Sequence, residues 1–179
     1  MFVPGHRAVT DDHWQKRWQA KLPNTVWVDG HELANGSQRN RLEQVKAAIK
    51  QASSPSVIIA HGAGVVATRH AIEEQNVQEI VEKIKGVIFV APPDLTHDAW
   101  QQTGLAHLTD YPSTPMPVPS FVIASRTDPY ASHEKSNELA SDWGSLFLDA
   151  GESGHIDEAS GHGPWPEGLM VFAEFMKRL

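Results

Sequence analysis

The chain has 179 residues, with 15 Lys plus Arg against 22 Asp plus Glu, a formal net charge of -7 and no cysteine. That length suits one domain spanning 1–179 and burying about two-thirds of the surface its unfolded chain exposes. The acidic balance, with no dense basic run, argues against a nucleic-acid partner, and the missing cysteines exclude disulfides, thiolate metal sites and a cysteine nucleophile.

Phe2-Val3 reads as a short first strand, followed by a Pro4-Gly5-His6 loop that brings backbone close to whatever lies above a sheet. Thr10 has the chemistry of an N-cap, Asp11 and Asp12 would then occupy the first helical turn, and Trp14, Trp18 and Leu22 share one face. Pro23-Asn24 ends that helix, and Val26-Trp27-Val28-Asp29 reads as a second strand. Over 38–52 the apolar positions Leu42, Val45, Ile49 and Ala52 follow helical spacing. Val57-Ile58-Ile59 then makes the continuous apolar run of a strand covered on both faces. A small-residue turn, His61-Gly62-Ala63-Gly64, leads directly into a helical pattern that reaches about Gln75.

Ile80, Val81 and Ile84 mark a further helix before the apolar strand 86–91, which Pro92-Pro93-Asp94 closes. Four prolines between 112 and 119 forbid a continuous helix or central strand there, so 95–119 reads as one short helix near 98–105 and an extended return. The strand 120–125 ends in Arg126-Thr127-Asp128-Pro129-Tyr130. Ser132 caps a helix carrying Leu139 and Trp143, and the last strand, 145–149, exits through Gly151-Glu152-Ser153-Gly154-His155. Pro166 suits the first turn of a final helix with Leu169, Phe172, Met176 and Leu179 as its stripe. Strands alternating with helices predict a single-domain α/β fold with a doubly wound, mainly parallel sheet, whose ligands sit at the carboxyl ends of the strands.

Three of those strand ends carry the turn at Gly62, then Asp128, then His155. In hydrolases built on such a sheet the turn reads small-x-Ser-x-Gly, and nucleophile, acid and histidine follow in this chain order. Here Gly62 stands where the serine belongs. No neighbour substitutes for it: Thr68 lies six residues on, about 9 Å along the helix axis, and Ser56 is at the far end of the strand. His61 is expected to pack beside the turn. His6, His13, His133 and His162 lack the spacing of a metal site, so neither metal nor cofactor is expected.

The sequence resembles the small serine hydrolases of the α/β-hydrolase superfamily, the branch typified by retinoblastoma-binding protein 9 and its bacterial relatives. The resemblance rests on Pro4-Gly5 with Asp12-His13-Trp14 and Trp18, the turn at Gly62, Val90-Ala91-Pro92-Pro93-Asp94, Ser125-Arg126-Thr127-Asp128-Pro129-Tyr130, Trp143-Gly144, Gly154-His155, and Gly161-His162-Gly163-Pro164-Trp165-Pro166-Glu167-Gly168. It implies that Asp128 orients His155, that His155 is a general base, and that Gly62 occupies the nucleophile position. It further implies oxyanion donors from the Ala63 amide and from the loop of Gly5 and His6.

The functional expectation is an esterase-like scaffold, silent or nearly so, holding a small acyl or ester ligand or a protein partner. A second reading is a weak hydrolase in which His155 activates water directly. A third is nucleotide binding, since Gly62-x-Gly64-x-x-Ala67 satisfies the dinucleotide fingerprint, although on a middle strand and without an acid at the next strand end. No apolar stretch reaches the ~18 residues of a membrane span and the start lacks an export signal, so a cytoplasmic, membrane-free location is expected.

Overall fold

The computed structural model describes residues 1–6, 9–28, 38–101 and 108–179. Five parallel strands, β1 (Phe2–Val3), β2 (Ser56–His61), β3 (Ile84–Val90), β4 (Ser120–Ala124) and β5 (Leu146–Asp149), lie side by side in chain order. Between them run α1 (Trp14–Lys21), α2 (Gln38–Gln51), α3 (Ala63–Glu73), α4 (Val77–Lys83), α5 (Asp98–Gln101) and α6 (His133–Asp142), and α7 (Pro166–Lys177) follows β5.

Of the strand expected at 26–29, residues 26–28 form a single parallel bridge, Trp27 beside Phe2, and 29 lies outside the described residues. Phe2 donates its amide to the Val26 carbonyl at 2.8 Å and accepts from the Val28 amide at 2.9 Å. Pro4, the next residue facing that way, has no N–H to offer on this side. The bridge still matters for topology, because the chain leaves β1 on one side and returns on the other as β2. This change of side across β1 is a switch point, where sheets of this kind open a crevice at the carboxyl ends of the strands.

Each face of the sheet buries its own core, as a doubly covered parallel sheet requires. On one face Val3, Ile58, Ala60, Val87, Phe89 and Val122 pack against α2, α3, α4 and α6 through residues such as Val45, Ile72, Ile80 and Trp143. On the other, Phe2, Ile59, Ile88, Val90, Phe121 and Ile123 meet Trp14 and Trp18 of α1 and Phe175 of α7. Trp14 is fully buried, and its indole N–H donates to the Ile156 carbonyl at 2.8 Å, tying α1 to the loop after β5.

Several local expectations are corrected. The N-cap of α1 is His13, whose Nδ1 accepts the Gln15 amide, so Asp11 and Asp12 precede the helix. Thr10 is committed elsewhere: its amide and hydroxyl both donate to the Glu158 carboxylate. A histidine is not a preferred cap, which is why Thr10 looked the better candidate. Ser132 does cap α6, accepting from the Lys135 amide at 3.1 Å. The strand expected at 86–91 begins two residues earlier, and the short helix expected at 98–105 is α5, with 102–107 outside the described residues.

The stripe assigned to the final helix is rotated. Leu169, Met176 and Leu179 are exposed, while Gly168 and Phe175 are buried and Val171 and Phe172 pack against the core. The Trp165 ring lies directly on the Gly168 backbone and fixes how α7 is turned. Phe175 then fits over Gly86, where a Cβ would fall 2.6 Å from its ring, and sits edge-on to Phe121 at 4.6 Å.

Candidate active site

Gly62 ends β2 and caps α3 with φ 51° and ψ -123°, a conformation that suits a residue without Cβ. The turn is pinned on both sides: the Gly62 amide donates to the Val90 carbonyl at 3.0 Å, and its carbonyl accepts the Val65 amide at 2.9 Å. Two residues on, Gly64 presses against β1. A Cβ there would lie 2.6 Å from the Pro4 carbonyl oxygen and closer still to that of Val3, so only glycine lets α3 approach. The two glycines of the dinucleotide-like pattern are thus accounted for by the turn and by helix-to-strand contact. Ala63 opens α3 at its N-terminus, Gly5 is buried beside the turn, and His6 is exposed.

Asp128 and His155 reach Gly62 from the loops after β4 and β5. Both carboxylate oxygens of Asp128 face His155 Nδ1, at 3.1 and 3.0 Å, and Oδ1 also accepts the Tyr130 amide at 2.9 Å. The Asp128 side chain is 3% exposed and that of His155 15%. With Nδ1–H directed at the carboxylate, Nε2 keeps its lone pair, and that atom lies 3.0 Å from the point where a Cβ of residue 62 would stand. Gly5 Cα lies 3.7 Å from the same point, so the loop after β1 walls the other side.

Two hydroxyls that carried no assigned role in the sequence hold these loops together. Ser125, wholly buried at the end of β4, accepts the Ser153 amide at 2.8 Å and the Thr127 amide at 3.2 Å, and donates to the Gly151 carbonyl at 3.2 Å. Thr127 Oγ1 accepts the Gly154 amide at 3.0 Å, one residue before His155. The Arg126 guanidinium pairs with Asp149 from the same side. The Ser-x-Thr-Asp spacing is therefore a clasp across 26–28 residues of chain as well as the carrier of the acid.

His61 packs beside the turn, as expected, and adds a link: its Nε2–H donates to the His155 carbonyl at 2.9 Å. Burial holds its pKa well below the usual imidazole value, and the neighbouring His155 and His13 lower it further. Burial likewise brings His13 down to about 4, against the opposing pull of Glu158 and Asp157. Both rings stay neutral at neutral pH, so each keeps one donor and one acceptor. The His61 ring lies 5.3 Å from His13 and 4.9 Å from His155, and Tyr130 meets His155 edge-on at 4.7 Å.

Trp165, a few residues beyond the His155 loop, is buried in the core. It stacks on Trp18 at 5.8 Å and meets Trp14 edge-on at 4.9 Å. A cleft of about 510 Å³ opens on the Asp128 side, between His97, Arg126, Pro129, Ser132 and His133; Gly62 and His155 are not among its walls. Among the described residues no three His, Asp or Glu side chains gather as a metal ion would require, and no helix is long and apolar enough to cross a membrane.

A parallel sheet with a strand-turn-helix elbow at its centre, and a buried Asp-His pair from two later strand ends directed at that elbow, defines the α/β-hydrolase fold. The serine hydrolase family model matches residues 1–174, and the chain belongs to that family. Among solved structures it is similar to a YdeN-like hydrolase from Pectobacterium atrosepticum, at 28% identity and TM-score 0.82 over 98% of this chain and 89% of that one. The ydeN gene product of B. subtilis is similar at 16% identity and TM-score 0.75, over 98% and 97% of the two chains. An esterase from Thermogutta terrifontis shares the fold at 9% identity and TM-score 0.68, over 99% and 88%. No curated protein matches the sequence.

Proposed function

We propose that this chain is an esterase-like hydrolase scaffold that retains its general-base pair and lacks its own nucleophile. The observation that carries the reading is the position of His155 Nε2, 3.0 Å from the missing Cβ of residue 62, with Nδ1 held by Asp128. In a serine enzyme that nitrogen takes the hydroxyl proton while a third group orients the ring. Glycine offers only a carbon-bound hydrogen at that place, so no acyl-enzyme forms and the covalent route is silent. The Ala63 amide at the start of α3, with the loop of Gly5 and His6, is the proposed oxyanion site; backbone donors do not depend on the absent side chain. The ligand is a small acyl or ester compound, consistent with the hydrolase named in the 28%-identical neighbour.

The test is to restore the hydroxyl. A folded Gly62→Ser protein is expected to gain labelling by a fluorophosphonate probe, whereas the unmodified chain gives none. A folded variant that stays unlabelled overturns the reading.

The lone pair left on Nε2 favours one further reading, in which His155 draws a proton from water and the water attacks the ester directly. General-base help of this kind contributes about 10²–10⁴-fold, so turnover is slow. With p-nitrophenyl acetate, turnover lost on His155→Ala supports this route, and turnover unchanged by that substitution rejects it.

A further inference from the structure

His155 stands between two residues of left-handed backbone, Gly154 at φ 54° and Ile156 at φ 52°. Glycine takes that conformation at little cost, whereas for a β-branched residue it is a strained outlier that persists only where the surroundings over-determine it. Ile156 is fully buried, so its side chain is fixed as well.

The backbone on both sides of Ile156 is gripped. The carbonyl before it, that of His155, accepts the His61 Nε2–H at 2.9 Å, and its own carbonyl accepts the Trp14 indole N–H at 2.8 Å. Its amide donates to the Ser153 carbonyl at 3.0 Å. The two peptide planes that set the φ and ψ of Ile156 are therefore each held by a ring N–H. Both rings are buried and meet edge-on at 5.8 Å, so the two donors brace one another. A carbonyl only accepts, so His61 carries its proton on Nε2, and burial keeps the ring neutral.

The two donors differ in what they tie together. Trp14 belongs to α1, but His61 directly precedes Gly62 and joins the elbow to the backbone of His155 itself. The clasp from β4 reaches the amides of Ser153 and Gly154, and its ties end before His155.

We infer that His61 is a positioning residue for His155: by holding the peptide that follows it against the strain at Ile156, it keeps the imidazole between Asp128 and Gly62. Without an N–H at that place the peptide is free to rotate, Ile156 relaxes toward an ordinary φ, and His155 Nδ1 is drawn off the Asp128 carboxylate. The role rests on the scaffold reading above, in which His155 is the general base.

The experiment compares His61→Leu, which fills the space without a donor, with His61→Gln, whose side-chain amide puts an N–H near the place of Nε2. Circular dichroism confirms that each variant is folded; if His61→Leu is not, His61→Asn replaces it, being polar but too short to reach the carbonyl. NMR of protein carrying isotope-labelled histidine should show a low-field proton on His155 Nδ1, bonded to Asp128, in the unmodified chain and in His61→Gln, and should show it lost in His61→Leu. In the Gly62→Ser background, fluorophosphonate labelling should slow about 10²-fold in His61→Leu, as a misplacement of ~1 Å does, and recover in His61→Gln. A folded His61→Leu protein that keeps the Nδ1 signal, or a His61→Gln protein as impaired as His61→Leu, overturns the inference. If a folded Gly62→Ser protein takes no label, the scaffold reading falls, while the Nδ1 signal still decides whether His61 places the ring.

Discussion

His155 turns the lone pair of Nε2 toward Gly62 and sits 3.0 Å from where a side chain on that residue would begin. The turn keeps φ 51° and ψ -123° although glycine is free to relax elsewhere, because the Val90 and Val65 hydrogen bonds and the approach of Gly64 to β1 hold it. The backbone of the elbow is therefore maintained by its neighbours and does not depend on the residue at its tip.

It follows that Gly62→Ser should fold with a stability penalty. A non-glycine residue at this φ costs on the order of 1–3 kcal/mol, and the new Cβ obliges His155 to withdraw slightly. For a chain of this size the loss amounts to several degrees in melting temperature. Differential scanning calorimetry of the two proteins checks the sign; a Gly62→Ser protein as stable as the parent contradicts the strain argument.

The clasp at Ser125 makes a second prediction. Its hydroxyl is the acceptor for the amides of Ser153 and Thr127 in a fully buried position. Ser125→Ala leaves both amides without that partner, at about 1–3 kcal/mol for each unsatisfied group. Urea unfolding should show a loss in that range or above. Combined with Gly62→Ser, the same change should slow fluorophosphonate labelling, because the loop that places His155 loses its tie to the loop that places Asp128.

The convergence of Gly62, Asp128 and His155 was legible because each follows an apolar run, and parallel strands bring their carboxyl ends to one edge. The clasp was not, since a hydroxyl accepting an amide 28 residues away has no periodic signature. The same holds for His61, whose place beside the turn was expected while its bond to the His155 carbonyl was not. Helix rotation was misread where a large ring decided it: periodicity alone fits Leu169 and Met176 as well as Phe175, and the Trp165–Gly168 contact selects between them. The segment at 26–28 looked like a strand because its residues are strand formers, but among the described residues it pairs only through the Trp27 bridge to Phe2.

The neutral histidines beneath the site predict acid sensitivity. His13 shifts from the usual 6.5 to about 4 on folding, chiefly because burial disfavours its charged form. Between those values the unfolded chain binds a proton that the folded chain refuses. Stability is therefore full above pH 6.5 and falls as the pH drops toward 4, with this residue contributing up to about 1.4 kcal/mol per pH unit. His61, also lowered by burial, acts in the same direction. His13→Asn keeps a capping acceptor for the Gln15 amide and removes one titrating group. Its unfolding free energy should depend less steeply on pH over this interval, whatever its value at pH 7. An unchanged slope would show that His13 takes up its proton in the folded protein as readily as in the unfolded one.

Gly64 separates the elbow account of the glycine pattern from a phosphate-binding one. In a dinucleotide site a glycine at this place admits the pyrophosphate, whereas here it admits the carbonyls of Val3 and Pro4. Gly64→Ala puts a methyl group into the backbone oxygens of Val3 and Pro4, neither of which can rotate away. Overpacking against fixed atoms costs about 1–3 kcal/mol or more, and the strain falls on the junction that sets the height of Gly62 above the sheet. The variant should unfold at markedly lower urea concentration than the parent, and in the Gly62→Ser background it should label poorly even where it remains folded. Titration of the parent with NAD should leave its tryptophan fluorescence unchanged. Micromolar quenching by NAD, together with an undisturbed Gly64→Ala fold, would instead assign these glycines to a nucleotide.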